Sequence, residues 1–201
     1  MNKLTFVVVL AFLSVFKING QTKNAITTAA PFLLIASDAR SGGMGDIGVA
    51  TSSDAYSLFH NPAKIAFNSN QHSIGVNYTP WLRNLTEDIF VGNFSYINKS
   101  KENSAWAVDF KYFSLGKIDL TDNTGLPLGF KNPNELAITG AYSLKLSETF
   151  SMGIGLKYIN SNLDVSDDLQ AINGFAVDIS GYYQSTEENY GDFNGRYRFG
   201  F

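Results

Sequence analysis

Beyond residue 71 the chain alternates. Apolar side chains recur at every second position with small or polar ones between, the period of a strand whose two faces meet different surroundings. In 72–78 the apolar set is Ile74, Val76 and Tyr78; in 88–97 it is Phe90, Phe94 and Tyr96, beside Gly92, Asn93 and Ser95. In 106–113, Trp106, Val108, Phe110 and Tyr112 oppose Ala107, Asp109 and Lys111. Segment 135–146 sets Leu136, Ile138, Tyr142, Leu144 and Leu146 against Thr139, Ser143 and Lys145. Segment 150–159 sets Phe150, Met152, Ile154, Leu156 and Tyr158 against Ser151, Gly153, Gly155 and Lys157. In 173–183, Phe175, Val177 and Ile179 oppose Ala176, Asp178 and Ser180; in 195–201, Tyr197, Phe199 and Phe201 oppose Arg196, Arg198 and Gly200. The pattern predicts seven strands, the last of them short.

The connections differ in size. LKLSETF makes a tight antiparallel hairpin, whereas 79–87, 113–134 and 184–194 are longer and rich in Asn, Asp, Gly and Thr. In an up-and-down sheet, successive connections fall at opposite ends. Loops 79–87, 113–134 and 160–172 then share one end, and the turns 98–104 and 147–149 share the other. Barrels place long loops outside the membrane and short turns in the periplasm; 184–194 falls at the short-turn end in spite of its length.

Ahead of the strands the chain reads differently. A short basic start (MNK) leads into the unbroken apolar run LTFVVVLAFLSVF at 4–16. That run is shorter than a membrane helix needs, and polar residues follow it, as in a secretory signal peptide. Residues 1–20 are predicted to be removed, with cleavage near Gly20–Gln21, and the protein to be exported. Segment 21–70 then forms a polar tether and an irregular part. In it GGMGDIG (42–48) interrupts any helix, a short helix over AYSLFH is capped near Ser53–Asp54, and Asn61-Pro62-Ala63 makes a turn.

Composition narrows the chemistry. There are 16 Phe and 10 Tyr but no Cys, and the formal net charge is −3. Nucleic-acid binding needs clustered basic residues, which are missing here. Without cysteine there is no disulfide framework or thiolate ligand. His60 and His72 are the sole histidines, which argues against a His-based metal site. GGMGDIG lacks the Gly-Lys-Ser/Thr ending of a phosphate loop and does not follow a strand. Nothing nucleophilic accompanies Asp38, Asp46 and Asp54, and no Ser-His-Asp arrangement is read. No cofactor and no catalytic residue are expected. Trp81, Leu82 and Leu85 are apolar residues in a loop and form a candidate contact with lipid or a partner.

Export and strands of this length point to an all-β transmembrane antiparallel β-barrel, with residues 71–201 forming part of the wall. Tyr78, Tyr96, Tyr112, Tyr142 and Tyr158 sit toward strand ends, where an aromatic girdle belongs. The bland alternative is a secreted soluble β-domain, since a sandwich also alternates. Bacterial barrels have even strand counts, so a count of seven means either an unrecognised strand or an incomplete chain. Phe201 could be the aromatic ending of an outer-membrane strand, but the short GRYRFGF favours a last strand cut off in mid-course.

The stretch PFLLIASDARSGGMGDIGVATSSDAYSLFHNPAKIAF, behind a signal peptide and ahead of long amphipathic strands, resembles the PorV family of outer-membrane proteins of type IX secretion in Bacteroidota. That family is similar to the fatty-acid-transporter (FadL-like) barrels. The resemblance is clearest over 38–67, at Arg40, Gly42, Gly43, Met44, Gly45, Gly48 and Ala50 and at Asn61, Pro62 and Ala63; WLRNLTED (81–88) also fits it. It implies a barrel of fourteen strands with an N-terminal segment inserted as a luminal plug, of which about seven strands are present here. Asp109, Lys111, Lys145, Lys157 and Asp178 would face the lumen as polar partners of the plug. The implied role is non-catalytic: receiving cargo proteins that carry a C-terminal secretion signal, beside a large translocon barrel, and passing them to a surface attachment complex with a sortase-like protein. The alternative is a FadL-like channel for fatty acids or other hydrophobic small molecules.

Overall fold

The computed structural model describes residues 30–84, 86, 88–163 and 171–201. The predicted signal peptide, the tether up to residue 29 and Leu85 lie outside these residues. The strands in chain order are β1 (His72–Pro80), β2 (Ile89–Lys101), β3 (Ser104–Leu115), β4 (Ile118–Thr121), β5 (Pro127–Lys131), β6 (Asn134–Lys145), β7 (Phe150–Asn162), β8 (Ile172–Gln184), β9 (Glu188–Asn189), β10 (Asn194–Gly195) and β11 (Arg198–Gly200). Seven of them form one antiparallel sheet in the order β1-β2-β3-β6-β7-β8-β11. The sheet curls through 209° as a half-barrel and does not close on itself. Its two edges are β1 and β11.

Two expected loops contain structure of their own. Within 113–134, β4 and β5 pair as a ribbon, and Asp122 shapes its tip by accepting from the backbone N–H groups of Thr124 and Leu126. Gly125 there has φ +84°, a conformation that favours glycine. Within 184–194, β9 and β10 pair through Asn189–Asn194 and Glu188–Gly195.

The register puts the predicted apolar set on one face and the small and polar set on the other. Residues 31–67 lie against the second face. They form a 3₁₀ turn (Pro31–Leu34), the short helix α1 (Ala39–Gly43), the short helix α2 (Ser57–His60) and a 3₁₀ helix (Pro62–Phe67). The last of these is touched by β2, β3, β6, β7 and β8. Those strands span about 19 Å at ordinary strand spacing. A six-residue 3₁₀ helix is about 12 Å long. So short a helix meets them all because the sheet curves around it, which makes its face the concave one.

The small buried core sits at that contact: Leu58 and Ile65 from the N-terminal segment pack on Ile97, Ala105 and Ala107. Small inward residues such as Ala105, Ala107, Ala137, Ser143, Ser151 and Gly153 give the segment room. The opposite face carries Val76, Ile138, Ile154, Phe175, Val177, Ile179 and Phe199, all exposed. A water-soluble sandwich buries its apolar face; here the polar face is covered and the apolar one is bare.

Candidate functional site

The Asn61-Pro62-Ala63 turn is where the N-terminal segment is fixed to the sheet. Asn61 caps the 3₁₀ helix: its Oδ1 accepts from the Ala63 N–H at 2.9 Å. Its Nδ2 donates to the Val49 carbonyl at 3.1 Å and to the Gly181 carbonyl of β8 at 3.0 Å. Pro62 opens the helix, where a missing N–H costs nothing. The Ala63 N–H also reaches Ser180 Oγ at 3.0 Å, and the Ala63 carbonyl accepts from Ser143 at 3.0 Å and Ser151 at 2.7 Å. Gly153 lies beneath: a Cβ there would stand 2.5 Å from the Ala63 nitrogen. On β11 a Cβ at Gly200 would stand 2.5 Å from the Val49 carbonyl oxygen. Two strands thus carry glycine where the segment's backbone touches them.

The glycine-rich arm folds back on this turn. Buried Lys64 donates from Nζ to the Gly48 carbonyl at 2.7 Å and to Thr51 at 3.0 Å. Burial brings its ammonium down to about 8. Gly48 lies against the His60 ring and leaves no space for a side chain. Gly42 and Gly43, by contrast, close α1 beside open space, and Gly45 follows with φ +76°. The glycines of the arm therefore do different jobs, and within 42–48 only Gly48 marks a close approach. Met44 is partly exposed, and Arg40 pairs with Asp54 at 3.1 Å and Ser52 at 2.9 Å.

Asp38, Ser41 and His60 come together, a grouping the sequence did not suggest. Asp38 caps α1 through the Ser41 N–H at 2.8 Å and also bonds the Ser41 hydroxyl. His60 Nε2 faces both Ser41 Oγ at 2.9 Å and Asp38 Oδ2 at 3.3 Å. A proton relay needs the acid and the hydroxyl on different ring nitrogens. Here one nitrogen meets both, so the trio caps a helix and is no catalytic triad. Burial holds the His60 imidazole below its ordinary value, with Asp38 partly opposing. Burial also pushes the Asp38 carboxyl up, but its bonds to Ser41 and His60 outweigh this and hold it below the usual range.

The polar residues named on the concave face divide. Lys111 donates to the Ile35 carbonyl and sits 4.2 Å above the Phe59 ring. Lys145 lies 4.6 Å over the Phe67 ring. These two reach the N-terminal segment. Asp109 instead takes both bonds from the Asn93 amide at 3.0 Å, and Lys157 pairs with Asp178 at 3.2 Å. Between Phe59 and this polar row is a cavity of about 30 Å³, room for about one water.

On the convex face one set of aromatics follows a slanted line, with Phe94 and Phe110 lying off it. Tyr96 on β2 is level, through Val108, Gly140 and Leu156, with Val177 on β8. The aromatic Tyr183 lies six residues further along β8 and pairs with Phe199 on β11. Trp106 and Tyr142 fall between. Six residues against four strand spacings is a slope of about 45°. A second aromatic set, Tyr78, Phe90, Tyr112, Tyr158 and Phe175, lies toward the long-loop end, with ring contacts from Tyr78 to Phe90, Phe90 to Tyr112 and Tyr158 to Phe175.

Trp81 and Leu82 stand at the same end, both exposed. Trp81 borders a cleft of about 400 Å³ shared with Leu34, Ile35, Asp38 and Asp46. Among the described residues no three His, Cys, Asp or Glu side chains converge on a metal position.

The Asp38–Ser41–His60 cap and the seats at Gly153 and Gly200 were not expected from the sequence. A glycine inside a strand is the signal that marks a close backbone approach, and it was present at both. Comparison with known families matches residues 18–201 to PorV, the type IX secretion system protein PorV. No curated protein matches the chain. Proteins of this family are non-catalytic and belong to outer-membrane transport.

Proposed function

The chain belongs to the PorV family, and from that premise we propose that it is a non-catalytic outer-membrane component of type IX secretion. It receives cargo proteins that carry a C-terminal secretion signal and passes them to the surface attachment complex. Its partners are a large translocon barrel, a sortase-like attachment protein and the cargo. The convex face meets lipid: it is apolar, and its aromatic line runs at about the 35–45° by which barrel strands tilt from the membrane normal. The N-terminal segment is the plug, and Asn61-Pro62-Ala63 fastens it. Trp81 and Leu82 form a partner contact at the long-loop end.

One observation favours this reading over a path for fatty acids. The concave face carries Asp109, Lys111, Lys157 and Asp178 with a row of serines, and the segment fills the space in front of it. A hydrophobic passenger there would take the partly exposed Lys157–Asp178 pair out of water, which costs several kcal/mol per ion, and would find no apolar wall in return.

Deletion of the gene tests the reading. Signal-bearing cargo is expected to disappear from the cell surface and accumulate in the periplasm, with fatty-acid uptake unchanged. Normal surface display with loss of fatty-acid uptake would overturn the proposal in favour of the channel.

A further inference from the structure

The ribbon β9–β10 lies at the tight-turn end, since the Gln184 N–H at the end of β8 donates to Thr149 in the β6–β7 turn. It is amphipathic. Pairing of Glu188 with Gly195 and Asn189 with Asn194 puts Tyr190, Phe193 and Tyr197 on one face, together with Glu188. The other face carries Glu187 and Arg196, paired at 2.5 Å, and Asn189 bonded to Asn194 at 2.9 Å.

The aromatic face is built as a unit. Tyr190 and Phe193 stack with centroids 5.4 Å apart, and Tyr197 meets Tyr190 edge-on at 6.1 Å. A Cβ at Gly195 would stand 3.0 Å from the Phe193 ring, so the small residue leaves room for the rings. The one carboxylate on this face accepts from the Tyr190 hydroxyl at 3.0 Å. All three rings are exposed, Phe193 at 64 % and Tyr190 at 41 %.

This face is continuous with the convex face of the sheet. Tyr197 exchanges bonds with Ser185 one step beyond the Arg198–Gln184 pair, which gives it the parity of Phe199 and Phe201. Tyr183 and Phe199, Tyr197, Tyr190 and Phe193 therefore form one aromatic strip that runs past the end of the sheet.

We propose that β9–β10 is an interfacial anchor, laid with Tyr190, Phe193 and Tyr197 in the headgroup–acyl boundary of the lipid leaflet at the tight-turn end. It rests on the reading of the convex face as lipid-facing. Aromatic rings with a hydroxyl or other polar edge concentrate at that boundary. The paired charges and amides of the opposite face stay in water. The anchor also accounts for a long connection at an end where barrels keep short turns.

The chain contains no cysteine, so single spin labels can be placed without background. Phe193→Cys, Tyr197→Cys, Asn194→Cys and Ile154→Cys are labelled in the full chain reconstituted in phospholipid vesicles. Collisions with oxygen, which partitions into the bilayer, are compared with collisions with a water-soluble nickel chelate. Labels at 193 and 197 are expected to favour oxygen at a depth shallower than 154, and the label at 194 to favour the chelate. If 154 favours oxygen while 193 and 197 match 194, or are shielded from both reagents by protein, the anchor is overturned and the lipid-facing sheet stands. If 154 itself favours the chelate, the lipid reading of the sheet fails and the anchor with it.

Discussion

A single carbonyl, that of Ala63, holds hydroxyls from two strands, and this redundancy has a measurable signature. Ser143→Ala or Ser151→Ala alone leaves the carbonyl one partner and is expected to cost about 1 kcal/mol or less. The double variant strands a buried acceptor. Its cost is expected to exceed the sum of the singles by about 1–2 kcal/mol in urea unfolding. Asn61→Ala removes bonds to Val49, Gly181 and Ala63 together and is expected to cost about 2–4 kcal/mol by the same measurement.

The titratable residues beside the turn give two pH windows. His60 is held low in the fold, so the unfolded chain takes up a proton near 6.5 before the folded one does. Stability is therefore present above pH 6.5 and lost as pH falls below it. Lys64 titrates at about 8 when folded and 10.5 when unfolded, so stability rises with pH between those values. His60→Asn is expected to flatten the first slope and Lys64→Met the second in unfolding series run across pH. The Asn61-Pro62-Ala63 turn was legible in the sequence because Asn and Pro act locally. The His60 and Lys64 partners were not, since they are set by how the arm folds back.

At the scale of elements, the seats on β7 and β11 fix where the N-terminal segment lies. Gly153→Ala would drive a methyl group into backbone atoms of Pro62 and Ala63, which have no rotamer to yield. The sheet is expected to persist by circular dichroism, while 31–67 becomes open to protease. Strands and faces were legible because period two survives wherever one face is apolar. Their exact reach was less so: β2 extends to Lys101 and β7 to Asn162, through polar residues that carry no apolar signal. The ribbons β4–β5 and β9–β10 escaped because a two- to five-residue strand is too short to show a period, and their Asn, Asp and Gly read as loop. Among the five concave charges, sequence could place the side of the sheet but not the partner. Lys111 and Lys145 reach the segment, while Lys157 finds Asp178 on the neighbouring strand.

For the whole molecule, the decisive contrast is between a polar face that is covered and an apolar face that is bare. Ile154 lies midway between Phe150 and Tyr158 on the convex side of β7 and is more than half exposed. In water, Ile154→Lys would change stability by no more than about 0.5 kcal/mol. In a bilayer it is expected to cost about 2–4 kcal/mol, read from urea titrations of the protein folded into vesicles. The pairing of Asn61 with Gly181 has a temporal consequence as well. The two residues are 120 positions apart, and the same turn leans on β6, β7 and β8. Contacts this distant in sequence form late and slowly. The segment that precedes the wall in the chain is thus fastened only after the strands that receive it, as far as β8, have been threaded into place.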